Sequence, residues 1–190
     1  MTRLLMMGPP GSGKGTQAAI VADRFGIPAI STGDIFRANV KERTTLGKEA
    51  ERFMKAGDYV PDEVTNTMVR NRLNQADASE GFLLDGYPRT LAQVDYLDSI
   101  LADQEVKLDR VIELFVDVEE VVGRLLARAA AEGRDDDDES VIRRRQQLYA
   151  SQTAPLTRVY ADRGLLERVN GQGSVDEVAS RIAAALGAPT

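Results

Sequence analysis

Residues 8–17 read GPPGSGKGTQ, four glycines around one lysine, directly behind the apolar run LLMM. Gly8, Gly13 and Lys14 match the spacing G-x-x-x-x-G-K of a phosphate-cradling loop, but Gly15 follows the lysine and the hydroxyl arrives one residue later, at Thr16. Glycines let backbone N–H groups converge on phosphate oxygens, and a following helix adds the partial positive charge of its N-terminus. A lysine in this place can reach the β- and γ-phosphates of a nucleoside triphosphate. Asp85 closes the apolar stretch GFLLD, where a strand-end carboxylate can hold Mg²⁺ directly or through its waters. Alone, such an Asp is a turn residue or a helix cap; beside a phosphate loop on another strand it reads as the magnesium carboxylate.

A phosphate loop of this kind fits GTPases, ATP-driven machines and small-molecule kinases. No N-K-x-D reads guanine here, and 190 residues are few for a motor. Arginines are scattered through the rest of the chain: Arg37, Arg89, Arg124, Arg128, Arg134 and the run Arg143, Arg144, Arg145. Arg124 and Arg128 stand four apart on a predicted helix and share one face. The guanidinium fork suits phosphate oxygens and stays charged in any site. Several arginines in an acidic protein point to more than one phosphate chain to neutralise. The chain has no histidine. An acceptor that is itself a phosphate monoester has a second pKa near 6, is mostly a dianion at neutral pH and needs no general base. In-line placement and charge stabilisation then suffice.

These residues need a scaffold with strand ends at one edge. Short apolar runs alternate with longer helical segments, the pattern of a mostly parallel sheet with helices on both faces. The predicted strands are 3–7, 28–31, 81–85, 110–116 and 165–170, enough for a doubly wound α/β sheet of five strands. The predicted helices run from Lys14 to Phe25, Leu91 to about Gln104, Val118 to Ala131, Ser140 to about Arg163 and Val175 to Leu186. Ser174 and Glu177 have the spacing of a capping box. Roughly fifty residues separate the second and third strands where a crossover needs a dozen or more, leaving room for an insertion of three helices. The segment AEGRDDDDES (131–140) reads on composition as an exposed acidic loop.

Composition narrows the classes further. The formal charge of −6 and the pI of about 4.9 argue against a protein that coats nucleic acid or an anionic membrane. There is no cysteine, which removes disulfides, thiolate nucleophiles and Cys-based zinc sites. The N-terminal apolar run is too short for a signal peptide, and no later stretch approaches membrane-spanning length. One cytoplasmic domain is the expectation.

GPPGSGKGTQ, STGDIFR (31–37), GFLLDGYPRT (81–90), the helix bearing Arg124 and Arg128, GRDDDDESVIRRR (133–145) and QTAPL (152–156) occur in order and together resemble the adenylate kinase family. The resemblance implies a nucleoside monophosphate kinase fold over 1–190, with an inserted monophosphate-binding region at 31–60 and a short inserted lid at 127–137. It implies reversible, Mg²⁺-dependent transfer from ATP to AMP giving two ADP, a role in adenine nucleotide balance and purine nucleotide biosynthesis, and a monomer. It implies that Gly11, Ser12, Gly13, Lys14, Gly15 and Thr16 hold ATP phosphates, with Arg124 on the base, Arg128 on the phosphates and the backbone near Gly173 by the adenine. Thr32, Arg37, Asp58, Tyr59 and Val60 would bind AMP. Gly86, Tyr87, Pro88 and Arg89 would lie along it, with Arg89 on its phosphate and Gln93 reading its base. Arg134 and Arg145 would neutralise the transferring group and the acceptor phosphate, so that Lys14, Arg89, Arg124, Arg128, Arg134 and Arg145 form the catalytic set.

Barely ten residues form the lid, and with neither Cys nor His the form without structural zinc is expected. Arg143 and Arg144 match no family site and read as a solvated helix face. Glycines 33, 57, 86 and 133 flank the segments expected to close over the substrates and exclude water. The nearest rival is a UMP/CMP kinase, against which Thr32 and Gln93 favour AMP. A rival of another class is a non-catalytic sensor of ATP and AMP.

Overall fold

The computed structural model describes residues 2–117, 120–125 and 139–187. Strands β1 (Thr2–Met7), β2 (Ala29–Ser31), β3 (Gly81–Asp85), β4 (Arg110–Phe115) and β5 (Leu166–Asn170) form one sheet in the order β2-β3-β1-β4-β5. Every pairing is parallel. β1 reads as a continuous apolar run because both of its faces are covered. Leu5 and Met7 pack with Leu84 and Val111 on one side; Leu4 and Met6 pack with Leu83, Ile112 and Leu114 on the other.

Helices α1 (Lys14–Phe25) and α9 (Val175–Ala185) cover the second of these faces. The capping box at the start of α9 is formed: Glu177 N–H donates to Ser174 Oγ at 3.3 Å, and Ser174 N–H to Glu177 Oε2 at 2.8 Å. The opposite face carries α4 (Asp62–Leu73), α5 (Leu91–Asp103) and, further along the chain, α8 (Leu156–Asp162). The connection from β2 to β3 holds three helices, α2 (Thr32–Lys41), α3 (Thr45–Ala56) and α4. Phe36 of α2 and Ala50 of α3 join the same apolar cluster as Val69 and Leu73 of α4.

Residues 120–125 form the described part of α6. The remainder of the predicted helix over 118–131, the acidic segment up to residue 138 and the expected lid at 127–137 lie outside the described residues, as do Arg128, Arg134 and Gly133. The helix predicted from Ser140 to about Arg163 is broken in two. α7 (Glu139–Leu148) runs into a single π-helical segment, Tyr149–Thr153, before α8 begins. Ala154 N–H donates to Tyr149 O five residues back, at 2.8 Å, and Pro155 then has no N–H to continue the ladder. Periodicity reads through such a widened turn, because the apolar face resumes on the other side of it.

The strand order places β1 between β3 and β4, so the chain leaves the sheet in opposite directions on its two sides. In open parallel sheets ligands bind beyond the carboxyl ends of the strands at this switch point. Met6 of β1 and Ser31 of β2 both register with Asp85, which brings three strand ends level at one edge.

Candidate active site

The loop after β1 folds as its glycines dictate. Gly8 has φ +146°, and a Cβ there would lie 2.5 Å from Leu114 O and 2.9 Å from Ser12 Oγ, so only glycine lets the loop cross the end of β4. Ser12 N–H donates to Pro9 O at 3.1 Å, and Lys14 Nζ reaches back over the loop to the same carbonyl at 2.9 Å. α1 then starts behind Gly13 with no side-chain cap and no acidic residue in its first turn. Its leading N–H groups face the loop with the uncompensated positive end of the helix dipole. This suits an anion.

Lys14, Gly11, Gly13, Gly15 and Thr16 line a cavity of about 420 Å³ together with Arg37, Asp85, Gly86, Arg89, Arg124 and Arg145. Such a volume is within the range of small-molecule sites. Five chain segments far apart in sequence thus deliver cations to one cleft of an acidic protein, where low-dielectric walls strengthen the field on a phosphate. Ser12 stands behind the loop, 1% exposed, with an Oγ that has no hydrogen-bond partner. Asp85 Oδ1 is likewise buried and unpartnered, and Oδ2 lies 3.7 Å from where a Cβ on Gly15 would be. Burial pushes the Asp85 carboxyl above the ordinary carboxylate range, while Lys14 and Arg89 pull it back down.

A second recess adjoins the first and is lined by Thr32, Phe36, Arg37, Asp58, Tyr59, Val60, Gly86, Arg89, Gln93 and Arg145. Its polar groups are already engaged with one another. Thr32 Oγ1 donates to Gly86 O at 3.0 Å, and Arg89 Nε donates to the same carbonyl at 2.7 Å. Gly86 has φ +80°, and a Cβ there would lie 2.9 Å from both Thr32 Oγ1 and an Arg89 nitrogen. Gln93, 1% exposed, accepts from Arg89 N–H at Oε1 (2.7 Å) and donates from Nε2 to Asp62 Oδ1 (2.7 Å). Thr90 Oγ1 holds the other oxygen of Asp62 at 2.9 Å. The amide orientation is therefore set by its neighbours, and one N–H and one lone pair of Gln93 remain for a ligand. Tyr87 donates to Asn66 Oδ1 at 2.7 Å beneath the recess, and burial raises its hydroxyl pKa, so it stays protonated. The Tyr87–Pro88 peptide bond is cis.

Arg37 pairs with Asp34 one turn earlier on α2. Arg124 pairs with Glu120 and donates to Gly171 O at 3.1 Å, joining α6 to the loop after β5. Gly173 lies in that loop with φ +107°, beside Glu177 and Arg181. The cavity lining does not include it. Arg181 Nη1 donates to Asn170 O and Gln172 O, both at 2.6 Å. Gly57 has φ +73° and Gly86 +80°, whereas Gly33 is an ordinary residue of α2.

Arg143 and Arg144 do not behave alike. Arg143 pairs with Glu139 on its own helix at 2.6 Å and stays exposed, as a solvated face requires. Arg144 instead bonds Asp58 Oδ1 at 2.7 Å and ties α7 to the end of the β2–β3 connection. Arg144 is exposed as well, and its partner 86 residues away adds a tertiary contact that helical periodicity does not encode. Asp62, Thr90, Thr153 and Arg181 are not singled out by the sequence; Thr90 and Thr153 have a signal there, as members of GFLLDGYPRT and QTAPL. Among the described residues no group of three or more His, Cys, Asp or Glu side chains could hold a metal.

The adenylate kinase family model matches residues 6–165. An adenylate kinase of a Nocardioides species is 63% identical over 184 residues, covering 97% of this chain and 96% of the relative. That of Kocuria rhizophila is 60% identical over 186 residues, covering 98% and 99%, and that of Micrococcus luteus is 56% identical over 182, covering 96% and 89%. With a phosphate loop at the switch point of a five-stranded parallel sheet and identity at this level along nearly its whole length, the chain belongs to the adenylate kinase family.

Proposed function

We propose that the two adjoining recesses divide the family's reaction, reversible phosphoryl transfer from ATP to AMP giving two ADP, between a donor side and an acceptor side. The donor side is the loop Gly11–Thr16, with its backbone N–H groups and Lys14 on the phosphates of ATP and Arg124 beside the base. The acceptor side is the recess of Thr32, Arg37, Asp58, Tyr59, Val60, Gly86, Tyr87, Pro88, Arg89 and Gln93. Arg89 and Arg37 would take the phosphate of AMP. The remaining N–H and lone pair of Gln93 match the N1 acceptor and N6 donor of adenine. Arg145 lines both recesses and would neutralise charge between them.

One observation carries this reading: Lys14, Arg37, Arg89, Arg124 and Arg145 converge on a single cavity that also reaches the uncapped start of α1. The AMP phosphate is mostly a dianion at neutral pH, so these residues need only orient it in line and stabilise charge. Mg²⁺ fits beside Asp85, whose buried Oδ1 has no partner, and one carboxylate completed by waters and substrate phosphates is the usual way this ion is held. Bound there, it would neutralise charge on the triphosphate. We read Arg128 and Arg134 as lid arginines closing on the phosphates, the segments 31–60 and 127–137 as the moving parts, and the enzyme as a cytoplasmic monomer. The acidic balance supports freely diffusing nucleotides as partners rather than nucleic acid. No helix among the described residues is long and apolar enough to cross a membrane.

Calorimetric titration tests the division. Arg89→Ala is expected to weaken AMP binding by about a hundredfold, given that breaking a charged hydrogen-bond pair costs on the order of 1.5–3 kcal/mol, and to leave ATP binding within twofold. Equal losses for both nucleotides would overturn it.

A further inference from the structure

The widened turn between α7 and α8 ends on a hydroxyl that is hydrogen-bonded to two other parts of the chain. Thr153, its last residue, is 6% exposed and donates from Oγ1 to Arg89 O at 2.9 Å. Tyr59 OH lies 2.8 Å from the same Oγ1. A threonine hydroxyl has one hydrogen, which the Arg89 carbonyl takes, so Tyr59 is the donor and the chain runs Tyr59 O–H to Thr153 Oγ1 to Arg89 O. The Arg89 guanidinium then folds back over the Tyr59 ring, 5.1 Å from its centroid. One hydroxyl therefore fixes Arg89 by its backbone and, through Tyr59, by its side chain.

We propose that Thr153 is a positioning residue for the acceptor phosphate, holding Arg89 and the Tyr59 end of the β2–β3 connection in one arrangement. This rests on the reading of Arg89 as the AMP phosphate ligand. Arg89 is otherwise anchored by its own loop: Nε binds Gly86 O, and the backbone N–H binds Gln93. The Thr153 hydroxyl adds a link from that loop to the α7–α8 turn and to Tyr59, and Tyr59, Arg89 and Thr153 line a recess together with Arg145 and Tyr149. π-turns recur at functional sites because they re-aim a side chain without ending the helix outright. Here the turn aims Thr153 at a carbonyl that the β3–α5 loop leaves facing it.

The test is steady-state kinetics on Thr153→Val, Thr153→Ser, Tyr59→Phe and Arg89→Ala, with AMP and ATP varied separately and each fold checked by thermal melting. Thr153→Val keeps the shape but strands two partly buried groups, Tyr59 OH and Arg89 O, and is expected to raise the AMP KM about tenfold while the ATP KM moves less than twofold. Thr153→Ser restores the hydroxyl and is expected to return the AMP KM to within about threefold of wild type. Tyr59→Phe keeps the ring over Arg89 and is expected to show a smaller rise than Thr153→Val. An unchanged AMP KM in Thr153→Val, a parallel rise in both KM values, or no rescue by serine would overturn the proposal while a large effect of Arg89→Ala kept the acceptor reading intact. An unchanged AMP KM in Arg89→Ala would overturn both.

Discussion

The two recesses differ in how far the protein satisfies its own polar groups. Around the acceptor recess Thr32, Tyr87, Arg89 and Gln93 each have hydrogen-bond partners in place, and the orientation of Gln93 is set from both ends. Around the phosphate loop the opposite holds. Ser12 Oγ, Gln17 Oε1 and Asp85 Oδ1 are buried without partners, and the start of α1 has no cap. A buried polar group left unpaired costs about 1–3 kcal/mol, so the donor side holds a latent stabilisation that a ligand or ion can release. In the proposed acceptor recess each of these side chains already has a partner, leaving one N–H and one lone pair of Gln93 on a fixed template. On the proposed division, a template discriminates among bases, whereas a cradle of backbone N–H groups and a lysine grips any triphosphate.

The largest expected effect that would sharpen this contrast comes from Lys14→Ala. Turnover should fall by about 10²–10³-fold, the usual loss on removing one group that stabilises developing charge, with AMP affinity changed less than twofold. Stopped-flow turnover with calorimetric AMP binding checks it, and a loss concentrated in AMP affinity would break the division. Next comes Gln93→Leu, which removes the template's reading amide. The ratio of kcat/KM for AMP over CMP should drop by about tenfold to a hundredfold, as the loss of one buried hydrogen-bonding match implies. Competition assays with both acceptors measure that ratio. Arg181→Ala is expected to act on the donor side only, because its two bonds to the 170–172 carbonyls brace the loop proposed to pass the ATP base. The ATP KM should rise by about tenfold or less, at the lower end of what a charged hydrogen bond contributes, with the AMP KM unmoved. The smallest is Arg144→Ala. Its bond to Asp58 joins two half-exposed side chains, so a double-mutant cycle with Asp58→Ala should return a coupling of about 0.2–1 kcal/mol, read by urea unfolding.

Much of this architecture was legible in the residues. The apolar run from Arg3 to Met7 reads as a strand, and Lys14 behind Gly13 marks the start of a helix, as the structure has them. The end of β3 at Asp85 is legible because an acidic residue closes an apolar run, and the capping box of α9 because Ser174 and Glu177 carry the spacing. The loop of the proposed donor side is the easier to read, since its pattern is local: glycines and a lysine within ten residues. The acceptor side was less legible on residue grounds alone, because its wiring is long-range. Asp62 meets Gln93 across 31 positions, Tyr59 meets Thr153 across 94, and Arg144 meets Asp58 across 86. No periodicity encodes such pairs. The break in the α7–α8 region had one visible sign, Pro155, whose missing N–H ends a helical ladder, but the π-turn before it leaves the apolar period nearly intact.

The most direct test of the contrast is a grid of initial rates by ³¹P NMR with Mg²⁺, in which ATP, GTP and CTP as donors are crossed with AMP, CMP, UMP and GMP as acceptors. A prewired acceptor template beside a phosphate cradle of backbone N–H groups should give rates that fall at least tenfold when AMP is replaced, and far less when ATP is replaced. Equal discrimination along both axes, or faster transfer to CMP or UMP than to AMP, would contradict it.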